Sequence, residues 1–116
     1  MTPAALRRAA LALPEAQEIE TWGEATFRVR SKMFCIMSSD GNRTSVRASV
    51  KASLEQQAEL LAAQPDVFGV APYVGRHGWV VFEVAKADRR QVAELLQDGW
   101  RATAPKALVK AFDATD

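Results

Sequence analysis

The chain is short of several residue types, and each shortage excludes a class of structure or site. It holds one cysteine, Cys35, and one histidine, His77, in 116 residues. A lone cysteine cannot form an internal disulfide, which fits a reducing compartment, so we expect a cytoplasmic protein. Cys35 and His77 lie far apart and lack the paired spacing of a zinc site. We therefore expect neither a metal nor a cofactor.

Long apolar runs are also missing. No stretch approaches the ~20 apolar residues that cross a bilayer, and the first residues, MTPAALRR, lack the basic-then-apolar order of a signal peptide. We expect no membrane partner. A chain with 48% hydrophobic and 25% charged residues is typical of one soluble globular domain, here residues 1–116, with its own core.

Capping signals and helical spacing predict four helices. Thr2 with Pro3 begins the first over 3–13, and Ser53 begins the second, which ends before Pro65. Asp88 begins a third and Pro105 a short fourth. The apolar residues at helical spacing form the predicted buried faces, which are Leu6, Ala10 and Leu13; Leu54, Ala58, Leu61 and Ala62; Val92, Leu95, Leu96 and Gly99; Leu108, Val109 and Phe112.

Alternating residues predict an antiparallel sheet. Residues 18–22 alternate weakly, and residues 25–51 predict a three-stranded meander whose second turn is the hairpin signal Asp40-Gly41-Asn42. A loop over 71–78 and a strand over 79–84 follow. The element order predicts an α+β two-layer sandwich in which helices cover one face of the sheet.

Basic residues are concentrated in the meander. Between Arg28 and Lys51 stand six basic residues and one acid, Asp40, although the whole chain is only +1. Alternation places most of these cations on the uncovered sheet face, which suggests an anionic partner, with nucleic acid the leading candidate. An ordinary solvated surface explains the same pattern, and the sequence leaves both open.

Two aromatic-glycine motifs resemble a known family. The segment 22–30 (WGEATFRVR), followed by Lys32 and Phe34, resembles the first signature of the MmcQ/YjbR family, and 71–80 (APYVGRHGWV) resembles the second. The resemblance spans nearly the whole chain and implies an α-β(3)-α-β(2)-α fold of the secretion-chaperone-like or CyaY-like type. It also implies the label of a DNA-binding protein. Ala48 and Ser49 depart from the bulkier residues usual in that strand.

These patterns select candidate binding residues. Cations that could track a phosphate backbone, from the meander, the 71–79 loop and the last helix, are Arg28, Arg30, Lys32, Arg43, Arg47, Lys51, Arg76 and Lys106. Trp22, Tyr73 and Trp79 could stack on a base or line a groove. For Tyr73 and Trp79 the competing interpretation, which we favour, is burial in the core or anchoring of the loop, and for Trp22 we favour a lid over the sheet edge.

No residue constellation points to catalysis. Cys35 lies in an apolar strand, which favours an inert core thiol, and Gly75-Arg76-His77-Gly78 is too short for a phosphate-binding loop. We therefore expect no enzyme and carry two hypotheses. The first is a DNA-binding protein without base specificity. The second is a protein-interaction or small-anion-binding module that uses a groove between the 71–79 loop and the meander. We expect a monomer; the sequence identifies no physiological ligand or protein partner.

Overall fold

One antiparallel sheet with helices against one face makes up the described part of the chain. The computed structural model describes residues 1–39 and 45–114. Its helices are α1 (Pro3–Leu11), α2 (Leu54–Ala63), α3 (Arg89–Thr103) and α4 (Lys106–Ala114). Its strands are β1 (Ala16–Thr21), β2 (Glu24–Val29), β3 (Lys32–Ser39), β4 (Val46–Val50), β5 (Phe68–Val70) and β6 (Val80–Glu83). The spatial order is β1-β2-β3-β4-β6-β5. The α+β class with an antiparallel sheet is confirmed.

The inner face of the sheet is apolar because alternation and register agree across four strands. Phe27 pairs with Cys35, Cys35 with Val50, and Val50 with Val80, and all four side chains are fully buried. Helices α1 and α3 cover this face and contact each other. The predicted buried residues of α1 and α3 are confirmed, except that Leu13 lies beyond the end of α1 and is only partly buried.

The predicted helix starts are confirmed by side-chain caps. In each case a short polar side chain accepts a hydrogen bond from the backbone N–H three residues later, which satisfies one of the free donors of the first turn. The bonds are Ala5 N to Thr2 Oγ1 (3.1 Å), Gln56 N to Ser53 Oγ (3.0 Å) and Gln91 N to Asp88 Oδ2 (3.0 Å).

The predicted buried face of α2 is wrong at three of its four residues. Leu54 is 59% exposed, and Ala58 and Ala62 are exposed as well. The buried side chain of this helix is Gln57, whose Nε2 donates to the carbonyls of Gly75 and Trp79 at 2.8 Å each. Helix α2 lies at the β5 end of the sheet. These polar contacts hold the following loop, while the predicted Leu61, together with Leu60, is partly buried against the core.

The sheet is larger than the predicted meander. Strand β1 begins at Ala16 and adds a full edge strand, and β5, only three residues long, carries no alternation that could be recognised. The loop over 71–78 contains one 3₁₀ turn, Gly75–His77. The predicted hairpin at Asp40-Gly41-Asn42 lies outside the described residues.

Candidate functional site

Within residues 1–39 and 45–114 the predicted continuous basic face does not form. Of the eight candidate cations, the described strands place only Arg28 and Arg47 on the outer face. Arg28 lies two residues after Thr26 on β2 and therefore points to the same face as Thr26. Arg47 pairs with Ser38 of β3 and with Glu83 of β6. The other described candidates lie at the ends of the sheet, in the 71–79 loop or in the helix layer.

Arg30 is not on the outer face because the chain turns there. Arg30 and Ser31 both have positive φ, 50° and 71°, so they are the two central residues of the hairpin between β2 and β3. The guanidinium donates from Nε and Nη2 to the two oxygens of Glu15 at 2.5 and 3.0 Å. That hydrogen bond lowers the pKa of Glu15 and raises the pKa of Arg30. The charge of Arg30 is therefore already compensated.

The other cations are separated from one another. Lys32 pairs with Val29, whose side chain points to the helix layer. Lys51 follows the end of β4, and its backbone and Cβ lie beside Gly99 of α3, which corrects its predicted place on the outer face. Arg76 is exposed in the 3₁₀ turn and donates to Nε2 of His77, and Lys106 begins α4 in the helix layer. Arg43 lies outside the described residues.

Arg47 stands next to an acid. It pairs in register with Glu83 across β4 and β6. The Glu83 carboxylate accepts hydrogen bonds from Ser45 Oγ at 2.9 Å and Lys86 Nζ at 3.3 Å. The hydrogen bond from Ser45 is the largest cause that lowers the pKa of Glu83, and the hydrogen bond from Lys86 and the charges of Lys86 and Arg47 lower it further. The positive field of Arg47 is therefore partly cancelled on this face.

Arg28 is held differently, by neutral oxygens alone. Its Nε donates to Thr26 Oγ1 at 3.1 Å, its Nη2 to Thr21 Oγ1 at 3.2 Å and its Nη1 to the Ser31 carbonyl at 3.0 Å. Thr26 is 2% exposed and donates in turn to the Ile19 carbonyl at 2.6 Å. Within residues 1–39 and 45–114 no carboxylate contacts this guanidinium. The fold therefore presents an oriented, uncompensated cation.

The three candidate aromatic residues differ strongly in exposure. Trp79 is 6% exposed, which confirms its predicted core role, whereas Trp22 is 98% and Tyr73 96% exposed. The prediction that Tyr73 is a core or loop-anchoring residue is wrong. So is the prediction that Trp22 forms a lid over the sheet edge, because a side chain this exposed covers nothing.

Both exposed aromatics also have a costly backbone conformation. Trp22 has φ 52° and Tyr73 has φ 64°, in the left-handed region that residues other than glycine, asparagine and aspartate rarely adopt. Trp22 precedes Gly23, with φ 80°, so the pair forms the two-residue hairpin turn between β1 and β2. Such outliers cost on the order of 1–3 kcal/mol each and cluster at functional sites.

A groove lies on the outer face under the loop that carries Tyr73. It encloses about 280 Å³, enough for a few side chains but not for a large ligand. Residues of the sheet form its floor and residues of the loop form one wall; they are Glu24, Ile36, Ser38, Arg47, Ser49 and Val81, with Pro72, Tyr73 and Val74. We call this the outer-face groove. Glu24 comes from the first sequence motif and Tyr73 from the second, so the fold brings the two motifs together.

The loop that forms the groove wall is held in place by contacts with α2. Gln57 binds the Gly75 and Trp79 carbonyls, and Ala71 N donates to the Trp79 carbonyl at 3.2 Å. Gly78 has φ 107°, and a Cβ there would stand 2.3 Å from the Ala52 carbonyl oxygen. The loop therefore closes tightly against the start of α2, and this closure leaves Tyr73 projecting outward.

Comparison with known proteins assigns the family. The family model described as YjbR matches residues 11–102. The chain belongs to the YjbR family. No curated protein matches it.

Two solved structures are similar to this YjbR chain in fold. One is the Deinococcus radiodurans protein DR2400, a DUF419 domain, with a TM-score of 0.73 and 22% identity, the match covering 84% of this chain and 74% of that one. The other is a protein from Pseudomonas syringae, with a TM-score of 0.69 and 14% identity, covering 89% of this chain and 99% of that one. At these identities the likeness supports the fold.

The floor of the groove was missed in the sequence. Ile36 lies between two buried neighbours in the run 33–37, which reads as a core strand, yet its side chain faces outward under the loop. An apolar residue on the nominally polar parity of a strand was the available signal, because it indicates that something covers the other face. The Glu83 beside Arg47 was missed because strand pairing cannot be read from one sequence.

Two other features of this YjbR chain carry no site. Cys35 is completely buried, and burial raises its thiol pKa. Among the described residues no group of three or more His, Cys, Asp or Glu side chains is arranged to hold a metal ion, and none of their helices is long and apolar enough to cross a bilayer.

Proposed function

We propose that this YjbR protein is a non-catalytic protein-interaction module that binds its partner at the outer-face groove. The observation that carries the proposal is the exposure of Trp22 and Tyr73, at 98% and 96%. Tryptophan, tyrosine and arginine are the residues that most often dominate the energy of protein interfaces. Tyr73 and Arg47 line this groove, and Trp22 lies two residues before Glu24, which lines it too.

Backbone strain at the same two residues supports a binding role. A left-handed tryptophan or tyrosine costs about 1–2 kcal/mol relative to its preferred backbone regions, and an exposed side chain gains nothing from burial. Neither cost is offset by contacts within the described chain. Residues that the fold would be more stable without are explained by an interaction that the isolated chain does not make.

The charges of the outer face favour a protein partner over a polyanion. Arg47 lies beside Glu83, and Glu24 is one of the sheet residues that line the groove. A phosphate backbone gains its affinity from several unpaired cations in a row, and Arg30 is already bound to Glu15. A partner protein can match mixed charges one by one.

Nucleic acid is the second candidate, and one observation favours it. Arg28 is an uncompensated guanidinium on the face that also carries Tyr73, and exposed aromatics of this kind stack on unpaired bases. On this hypothesis the ligand is single-stranded DNA rather than a duplex. It requires binding that weakens steeply with salt.

The test uses the natural fluorescence of the chain. Of its three tryptophans, Trp79 and Trp100 are buried, at 6% and 0% exposure, so iodide quenching reports on Trp22. Displayed random peptides are selected on the wild-type chain and counter-selected on a Trp22→Asn/Tyr73→Asn variant. Single-stranded oligothymidylate is titrated in parallel at ~50 and ~200 mM salt.

The proposal predicts peptides that bind the wild type, protect Trp22 from iodide and fail to bind the variant. Oligothymidylate that protects Trp22 in a strongly salt-dependent manner, with no peptide selected, supports nucleic acid instead. Selected peptides that bind both proteins equally would contradict a site at Trp22 and Tyr73. Lys106→Gln in the helix layer is the matched control and leaves binding unchanged.

A further inference from the structure

We propose that Arg28 is a carboxylate receptor, so the partner segment that occupies the outer-face groove presents an aspartate or glutamate next to an apolar side chain. The inference rests on the proposed function and specifies the chemistry of the partner. It is carried by the way Arg28 is held, because three neutral oxygens orient its guanidinium and leave its charge without a carboxylate partner among the described residues.

Three other arginines are bound by carboxylates within the chain. Arg7 binds Glu18 at 2.7 Å, Arg30 binds Glu15, and Arg101 binds Asp113 at 2.7 Å. Arg28 instead contacts Thr21, Thr26 and the Ser31 carbonyl. An arginine oriented by three neutral acceptors has little conformational entropy left to lose, and a guanidinium has five N–H donors. Three of them are used here, which leaves two for a ligand.

The place of Arg28 couples it to the groove. Its Nε is bonded to Thr26, whose cross-strand neighbour is Ile36 on the groove floor. Thr26 and Ile36 are one strand spacing, ~5 Å, apart, so a bound segment reaches the apolar floor from Arg28 by crossing Thr26. Charge complementarity selects an acid at Arg28, while Ile36, Val74 and Val81 select an apolar neighbour for it.

Glu24 fixes the direction of the segment. Glu24 is one of the sheet residues that line the groove, and it is not among the partners of Arg28. A partner with one acid avoids Glu24 and reaches Arg28, whereas a run of phosphates places negative charge against both. This difference favours an acidic peptide over a nucleic-acid strand.

The experiment is a double-mutant cycle on the selected peptides. Each Asp or Glu of a peptide is replaced by its amide, and affinity is measured on wild type, Arg28→Gln, Arg28→Lys and Arg30→Gln. We expect one acidic position whose loss weakens binding to the wild type about tenfold or more and has no effect on Arg28→Gln. Arg28→Lys restores only part of the affinity because it lacks the planar fork. Arg30→Gln, the matched control, behaves as wild type.

A second readout works without any selected peptide. The Arg Nε–H resonances of the full chain are followed in NMR titrations with acetate and with phosphate. A shift of Arg28 but not Arg30 with acetate supports the inference even if no peptide is found. A larger response of Arg28 to phosphate than to acetate overturns the carboxylate assignment.

The two failures are distinguishable. Peptides that depend on Trp22 and Tyr73 but whose acids show no coupling to Arg28 overturn the inference and leave the proposed function standing. An Arg28 response to acetate without Trp22-dependent peptides supports the receptor and contradicts the proposed function. Thr21→Val separates charge from orientation: it keeps the Arg28 charge, removes one supporting oxygen, and is expected to weaken the acetate response of the Nε–H.

Discussion

The inner and outer sides of this sheet differ in how they treat large apolar side chains. On the inner face, Phe27, Val50 and Val80 are fully buried in ordinary extended strands. Trp22, in the turn between β1 and β2, and Tyr73, at the outer-face groove, are almost fully exposed and have left-handed backbones. The inner face is organised for stability, while the aromatics of the outer face lower it. Function is therefore to be sought at large side chains that stay exposed although their backbone conformation lowers the stability of the fold.

The largest expected effect comes from the inner face. Trp100 is 0% exposed, donates from Nε1 to the Pro14 carbonyl at 3.0 Å and packs edge-on against Phe112. Trp100→Ala leaves a cavity and an unpaired carbonyl, so we expect the free energy of unfolding to fall by about 3–5 kcal/mol. Urea denaturation measures this. A loss under about 1 kcal/mol would mean that α3 does not pack on the sheet as described.

Two glycines with positive φ, Gly23 and Gly78, separate the effect of backbone strain from the effect of a steric clash. Gly78→Ala places a Cβ at 2.3 Å from the Ala52 carbonyl oxygen, whereas a Cβ at Gly23 meets nothing within 4 Å, and both residues have positive φ. We expect Gly23→Ala to cost about 1 kcal/mol through strain alone. Gly78→Ala should cost about 3 kcal/mol, because a backbone clash adds to the strain. Equal losses in thermal or urea unfolding would contradict the closed loop.

Sequence patterns predicted the inner face better than the outer one, for a physical reason. A buried face requires apolar residues at the regular repeat of its helix or strand. The burial of Val92 and Leu96 in α3 and of Phe27 in β2 could therefore be predicted from the sequence. The outer face depends on which residues begin a turn and which strands pair. Arg30 departed from alternation because the chain turns at it, and the acid beside Arg47 comes from a strand 36 residues further along. Single-sequence periodicity contains neither fact.

Removing the exposed aromatics is predicted to stabilise the chain modestly. Asparagine tolerates the left-handed region better than tryptophan or tyrosine, and these side chains contribute no buried area. Trp22→Asn and Tyr73→Asn should each raise the free energy of unfolding by about 0.5–1 kcal/mol. Thermal unfolding at one protein concentration checks this. A loss of stability would show that the aromatics pack within the folded chain.

The smallest effect concerns acid stability. Hydrogen bonds from Ser45 and Lys86 lower the pKa of Glu83 below its ordinary value of 4.5. A lowered folded-state pKa stabilises the fold above the unfolded pKa, and this contribution is lost as pH falls through the folded value. Glu83→Gln should therefore slightly reduce the fall in stability on acidification below about pH 4.5. Glu59→Gln on exposed α2 is the control, and equal pH profiles for all three proteins would contradict the Glu83 contacts.

The most direct test of the account pairs stability with binding in one variant. The Trp22→Asn/Tyr73→Asn protein is compared with the wild type in urea unfolding and in its affinity for the selected peptides. The account predicts equal or greater stability and a loss of affinity of about a hundredfold or more, as expected when two hot-spot aromatics are removed. Unchanged affinity in a stably folded variant would contradict it.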